Sequence, residues 1–373
     1  MVERLGNLGG RASLDDLHDR LRRYHRVPPV ASEGEFGVPS SLLDALIAHW
    51  RDDFDWAAQA RRIAAYPWEQ TEHASVPVRA IISRADASQT DADADAGVVL
   101  LLHGWPDSVL RFERLFPHLD DVTYVAPALP GFPFAAPAAP DGVPGGLSAV
   151  AMADAMAVAM REFGFERYVI SAGDVGCDVA EALAACHPEV VTALHLTDVS
   201  QFHFLVDPPA DLDEEERAYV ARGHRWQAAE GGYMHEQSTR PNTLAVGLGD
   251  SPAGLAAWIV EKLDRWSDGP FTDVFSYDEA LTWVSAYWLT DSIGTSFTPY
   301  ATGGTMDWPR IEIPTVFTVF AHDLVNAPRQ FAERYFDVAA WREYDHGGHF
   351  AAWERPDEYL WGLRTALEAQ RPT

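Results

Sequence analysis

Ala172-Gly173-Asp174-Val175-Gly176 sits between an apolar β-rich run, Tyr168-Val169-Ile170, and a helical pattern, Val179-Ala180-Glu181-Ala182-Leu183. Small residues two before and two after a central side chain let the backbone turn sharply from strand to helix and lift that side chain above the sheet edge. The lifted residue is Asp174, where an acyl-transfer enzyme would carry Ser. A carboxylate in that place can attack a saturated carbon bearing a leaving group and become an alkyl ester, so the motif points to alkyl transfer. Asp is also favoured as the N-cap of a helix after a strand, and the five residues alone leave that plainer role open.

Other segments favour the nucleophile. Val98-Val99-Leu100-Leu101-Leu102 reads as a fully buried strand and runs directly into His103-Gly104-Trp105-Pro106. In α/β-hydrolases such a turn supplies one oxyanion-hole amide, here that of Trp105, and the residue after the nucleophile, Val175, supplies the other. Further on, the strand pattern Thr315-Val316-Phe317-Thr318-Val319-Phe320 ends in Ala321-His322-Asp323, and Gly347-Gly348-His349-Phe350 follows a last strand pattern, Trp341 to Tyr344. The order Asp174, Asp323, His349 is the α/β-hydrolase order of nucleophile, acid and histidine. Asp198, after the strand pattern Ala193-Leu194-His195-Leu196, is a rival for the acid. His103 and His195 border apolar strands and read as hydrogen-bonded structural histidines, and Asp178 reads as a solvent-facing or capping residue.

Nearly the whole chain resembles an epoxide hydrolase of the α/β-hydrolase superfamily, of the microsomal-like type with an N-terminal extension. The resemblance is carried by His103 to Pro106, the Asp174 elbow, Gly231-Gly232-Tyr233-Met234-His235, the block Ser251 to Trp258, the pair Tyr287-Trp288, and Gly347 to Ala352. It implies that the family's two epoxide-polarising tyrosines fall on Tyr233 and Tyr300. It also implies a vicinal diol formed through an Asp174 ester, with His349, oriented by Asp323, activating water. The expected partners are a small-molecule epoxide and water; no metal or organic cofactor is needed. Two departures stand out: Val175 replaces the Trp usual after the nucleophile, and Ala172 stands where Gly is common. The first should reshape the pocket wall while keeping a backbone amide.

A haloalkane dehalogenase would share the Asp nucleophile but needs N–H donors for the halide, commonly Trp after the nucleophile and Asn in the oxyanion turn; Val175 and Trp105 occupy those positions. A non-catalytic binding protein on the same fold is the third reading, weakened by the presence of nucleophile, acid, histidine and both tyrosines. Trp105, Phe132, Phe134, Phe202, Trp283 and Trp288 lie in or beside the oxyanion turn, the loop after a core strand, or the helical insertion, and are the candidate pocket lining. Such walls favour a bulky or aromatic epoxide; the resemblance, with the Ala-, Arg- and Asp-rich composition, implies an intermediate of secondary metabolism as its source.

The formal net charge of −28 argues against nucleic acid or an anionic membrane as partner. With 47% apolar residues and 13 Trp the chain can bury a large core, no run approaches a membrane span, and no signal-peptide pattern opens it, so a cytoplasmic enzyme is expected. A homodimer is left open. Cys177 and Cys186, nine residues apart in the helix after the elbow, suit neither a disulfide nor a zinc site. Lys262 is the single lysine.

The expected fold is α/β, an α/β-hydrolase with a mostly parallel doubly wound sheet, an inserted helical cap and an N-terminal helical arm. The expected divisions are an arm over 1–75, a first core part over 76–200, a cap over 201–302 and a second core part over 303–373. In the arm, Ser13 is expected to cap a helix whose Leu14, Leu17, Leu21 and Tyr24 share a face, with further helices near Leu42 to Arg51 and Trp56 to Ala65. Asp211 to Glu216 reads as the acidic first turn of a cap helix. Low-complexity pieces at Asp86 to Ala96, with the acidic run Asp91 to Asp95, and at Ala135 to Gly146 read as loops, and the sheet is expected to resume after Pro314.

Overall fold

The computed structural model describes residues 11–30, 36–85, 97–137, 146–303 and 306–370. Eight strands form one sheet in the order β1-β2-β4-β3-β5-β6-β7-β8. They are β1 (Trp68–Gln70), β2 (Arg79–Ser83), β3 (Val98–Leu102), β4 (Thr123–Ala128), β5 (Tyr168–Ala172), β6 (Val191–Leu196), β7 (Ile311–His322) and β8 (Phe336–Gly348). From β4 to β8 the neighbours are parallel, whereas β2 runs antiparallel to both β1 and β4. Strands β3 and β5 are buried along their whole length, as expected of a sheet covered by helices on both faces.

The register explains where a site can form. Leu102 at the end of β3 lies opposite Ala172 at the end of β5, and Ala172 lies opposite Leu196 at the end of β6. The turn after β3, the elbow after β5 and the loop after β6 therefore emerge side by side, and β7 ends just before Asp323 next to them. This is the carboxyl edge at which parallel α/β sheets bind ligands.

Between β6 and β7 the chain leaves the sheet for a π-helical turn, Phe202–Val206, and the helices Glu214–Glu230, Gly232–Thr239, Pro241–Asp250, Pro252–Arg265, Phe271–Val274, Tyr277–Leu289 and Thr298–Thr302. The acidic run opens the first helix three residues later than the expected Asp211: Asp213 is the N-cap and forms a reciprocal capping box with Glu216, and Glu214, Glu215 and Glu216 fill the first turn, where negative charge suits the helix dipole. No single described helix is long and apolar enough to cross a membrane; Pro241–Asp250 and Pro252–Arg265 together have the length and composition but bend by 114° at their junction.

The arm consists of helices Arg11–Arg22, Ser40–Asp52 and Trp56–Ala64. Leu17, Leu21, Leu46, Ile47 and Trp50 are buried, and Arg20 Nη1 donates to the Asp250 carboxylate at 2.7 Å while His49 Nε2 meets Asp278 at the same distance. Ser13 does not cap its helix. The helix already begins at Arg11, so Ser13 lies inside the first turn.

Two further expectations needed adjustment. The arm expected to be helical over 1–75 ends in a strand, β1, whose Trp68-Glu69-Gln70 carries no alternating apolar signal. Strand β7 begins at Ile311, before Pro314, because the proline sits where the β7–β8 register shifts and its missing N–H breaks no regular ladder. Cys177 and Cys186 are both free thiols of the helix Val175–Cys186. The loop readings for 86–96 and 138–145 lie outside the described residues.

Candidate active site

Asp174 has φ 57° and ψ −135°, a left-handed conformation that costs a non-glycine residue roughly 1–3 kcal/mol and survives only where the surroundings enforce it. Two glycines make room for it. A Cβ on Gly176 would lie 2.4 Å from the Leu102 carbonyl, and a Cβ on Gly104 would lie 2.2 Å from Asp174 Oδ1. The elbow and the turn after β3 are thus pressed together. Asp174 stands at the N-cap position of its helix, yet its side chain makes no capping bond. Its Oδ1 instead accepts from the Trp105 amide at 2.7 Å, and the Val175 amide also favours the charged form.

His349 follows β8 and reaches back to the elbow. Its Nδ1 meets Asp323 Oδ1 at 2.8 Å, and its Nε2 faces Asp174 Oδ2 at 3.4 Å, an ion-pair contact without hydrogen-bond alignment. Its own amide donates to the Trp266 carbonyl at 2.8 Å, and the Trp266 indole meets the imidazole edge-on at 5.2 Å between centroids. Burial opposes the imidazolium, but the flanking Asp323 and Asp174 carboxylates outweigh it and push the pKa up to about 10. For Asp174, burial likewise opposes charge; His349 and the two amides prevail and hold its pKa below the ordinary carboxylate value.

Asp198 is placed differently from Asp323. Its Oδ2 accepts the Asp174 backbone N–H at 3.1 Å, so it braces the elbow, and burial with the Asp323 charge nearby pushes its pKa up to about 6. The two histidines read as structural are so: His103 Nε2 accepts from the Leu129 amide, and His195 bonds Ser171 and Thr318.

Beneath the site lies an ion pair that the sequence reading did not single out. Arg111, 1% exposed, donates to Asp107 at 2.7 Å and to the His349 carbonyl, while Asp107 Oδ1 accepts the Gly104 amide at 3.0 Å. One buried salt bridge therefore ties the oxyanion-type turn to the histidine loop.

A cavity of about 690 Å³ opens above Asp174. Tyr233 and Tyr300 both line it, with ring centroids 6.0 Å apart; burial first, and then the Asp174 charge, raises both phenol pKa values well above normal, so both hydroxyls stay protonated. Of the candidate aromatic lining, Phe202 faces this space. Trp105 stacks behind Tyr233 at 5.1 Å and 7°, and so backs the wall. The other four lie elsewhere. Phe132 packs on His103, Phe134 on Trp68, and Trp283 on Phe275, Phe350 and Trp353, while the Arg20 guanidinium lies over Trp288 on the arm side. Phe204, Leu205 and Met234 take their place in the wall.

Asp178 is not a solvent or capping residue. One helical turn beyond Asp174 it lines the cavity, and burial, opposed by a Ser200 hydrogen bond and reinforced by neighbouring carboxylates, pushes its pKa up to about 8. Among the described residues no cluster of His, Cys, Asp and Glu has the arrangement of a metal site.

A carboxylate on a strained strand–helix elbow, held by two backbone amides and facing an Asp-paired histidine under a helical cap, defines an α/β-hydrolase with Asp at the nucleophile position. Residues 10–112 match the family described as epoxide hydrolase N terminus and residues 97–229 that described as alpha/beta hydrolase fold. A relative from Stigmatella aurantiaca, which carries an epoxide hydrolase name, is 32% identical over 96% of this chain and 83% of its own length. Epoxide hydrolase 1 of Sus scrofa is 28% identical over 92% of this chain and 84% of that protein. The structure of Aspergillus niger epoxide hydrolase superposes with a TM-score of 0.83 at 28% identity, covering 96% of this chain and 94% of that one. The chain belongs to the epoxide hydrolase family of α/β-hydrolases, in its microsomal-like type with an N-terminal extension.

Proposed function

We propose that this epoxide hydrolase converts its substrate to a vicinal diol through a covalent hydroxyalkyl ester on Asp174. The observation that carries the reading is the Asp174 carboxylate itself, with Oδ1 on the Trp105 amide and Oδ2 facing His349 Nε2 at 3.4 Å. Tyr233 and Tyr300 hydrogen-bond the epoxide oxygen while Asp174 attacks a ring carbon and the carbon–oxygen bond opens. The new alkoxide is protonated at the expense of the His349 imidazolium, which loses the stabilising Asp174 charge when the ester forms. His349, oriented by Asp323, is then neutral and can remove a proton from water; the hydroxide adds to the ester carbonyl, and the Trp105 and Val175 amides receive the oxyanion. Collapse expels the diol oxygen, which takes the proton of the newly formed Asp174 carboxyl, while the proton removed from water stays on His349; the Asp174 carboxylate and His349 imidazolium are restored, so charges balance over the cycle.

A cavity of about 690 Å³ walled by Phe202, Phe204, Leu205 and Met234 supports a bulky epoxide as substrate, an aryl one among them. The covalent step is tested by single turnover in isotopically heavy water. The first diol should carry light oxygen and Asp174 should gain the heavy atom; heavy oxygen in the first diol, with none in Asp174, would mean direct attack by water.

A further inference from the structure

We propose that Lys262 is a positioning residue that strengthens Tyr233 as a hydrogen-bond donor to the epoxide oxygen, acting through the face of its ring; the inference rests on the ring-opening role given to Tyr233 above. Lys262 is the only lysine of the chain, and its side chain is 7% exposed. Its Nζ lies 4.8 Å from the centroid of Tyr233, 5.5 Å from that of Trp266 and 6.0 Å from that of Trp258. An ammonium buried among three rings is held by their quadrupoles, and the attraction grows when solvent is excluded.

The consequence for Tyr233 is electrostatic. A positive charge against the ring draws electron density from the phenol oxygen, so charge that builds there as the hydroxyl gives up its proton is stabilised. Trp105, stacked on the same ring, fixes its plane. The adjacent Glu261 pairs with Lys262, and its carboxylate acts on Tyr233 in the opposite sense. The two neighbours thus make opposite predictions, which a packing role for the lysine stem would not.

Pre-steady-state kinetics separates ring opening from ester hydrolysis, and only the first needs the phenol. Lys262→Met, which keeps the length of the stem, should slow alkylation about tenfold while leaving ester hydrolysis at the wild-type rate, and Lys262→Arg should restore most of the loss. Glu261→Gln should alkylate as fast as wild type or faster. In a Tyr233→Phe background, Lys262→Met should cause no further slowing, because the group it acts through has gone. The proposal is overturned if Lys262→Met alkylates at the wild-type rate, if it slows both steps alike, or if its effect persists undiminished in the Phe background. Should Tyr233→Phe alone alkylate at full rate, the fault lies with the role given to Tyr233, and the proposal falls with it.

Discussion

Replacing Asp174 with Asn removes one charge from beside His349 and keeps the shape of the site, so it isolates how much of the histidine's basicity comes from the nucleophile. His349 Nε2 and Asp174 Oδ2 are 3.4 Å apart, with side chains 1% and 9% exposed. At the effective dielectric constant of about 20 that suits such sites, one charge pair at this distance is worth roughly 5 kcal/mol. At roughly 1.4 kcal/mol per pH unit, the histidine should titrate three to four units lower in Asp174→Asn. The wild-type value of about 10 would then fall close to neutrality. In the proposed cycle esterification would remove the same charge, so the ring held as an imidazolium beside the free carboxylate would become a free base at the ester stage. NMR titration of histidine-labelled wild-type and Asp174→Asn protein measures this directly, and values agreeing within half a unit would refute the reasoning. Linkage gives a second reading. The folded-state pKa lies above the ordinary 6.5, so the stabilisation is complete below 6.5 and is lost as pH rises through about 10; thermal stability of the wild type should fall over that window more than that of the variant.

Tyr233→Phe or Tyr300→Phe should each slow alkylation by roughly ten- to a thousandfold with the fold intact, and the double variant should be nearly inactive by stopped flow; full activity would place the polarising group elsewhere. Asp178, uncharged below about 8, should become an anion beside the developing alkoxide as pH rises through that value, so kcat/KM should decline there and Asp178→Asn should flatten that limb of the profile. Val175 lines the cavity beside the nucleophile, so Val175→Trp should reduce kcat/KM selectively for the bulkier members of an epoxide panel; equal losses across sizes would show that position 175 does not shape the pocket.

Much of the site was legible because it is written locally. The elbow needs small residues at fixed offsets from Asp174, and Gly104 and Gly176 are required by contacts with the backbone or with the nucleophile itself. The order of Asp174, Asp323 and His349 gave the candidates, but only the meeting of loops from separate strands distinguishes Asp323, on His349 Nδ1, from Asp198, on the Asp174 amide. The aromatic lining was poorly legible for the same reason. Trp283 and Trp288 lie on one cap helix, and whether a side chain there faces the cavity depends on how that helix is rotated, which its own periodicity does not fix. Asp178 carries a signal in the sequence: one turn after Asp174, it shares the face that aims the nucleophile. Arg111 was not legible, because nothing in a lone arginine near a turn tells of a partner such as the His349 carbonyl, 238 residues further along.

The clasp between arm and cap sets a problem for the ribosome. Helix Ser40–Asp52 packs on Pro252–Arg265 and Tyr277–Leu289, and the contacts of His49 and Arg20 lie 229 and 230 residues downstream. At ordinary elongation rates that separation is a delay of about ten to fifty seconds. Throughout it Leu17, Leu21, Leu46, Ile47 and Trp50 have emerged while the cap helices that complete their burial do not yet exist. The nascent chain must therefore carry an amphipathic, aggregation-prone segment ahead of its own core, and the speed of translation through the cap governs how long that segment stays uncovered.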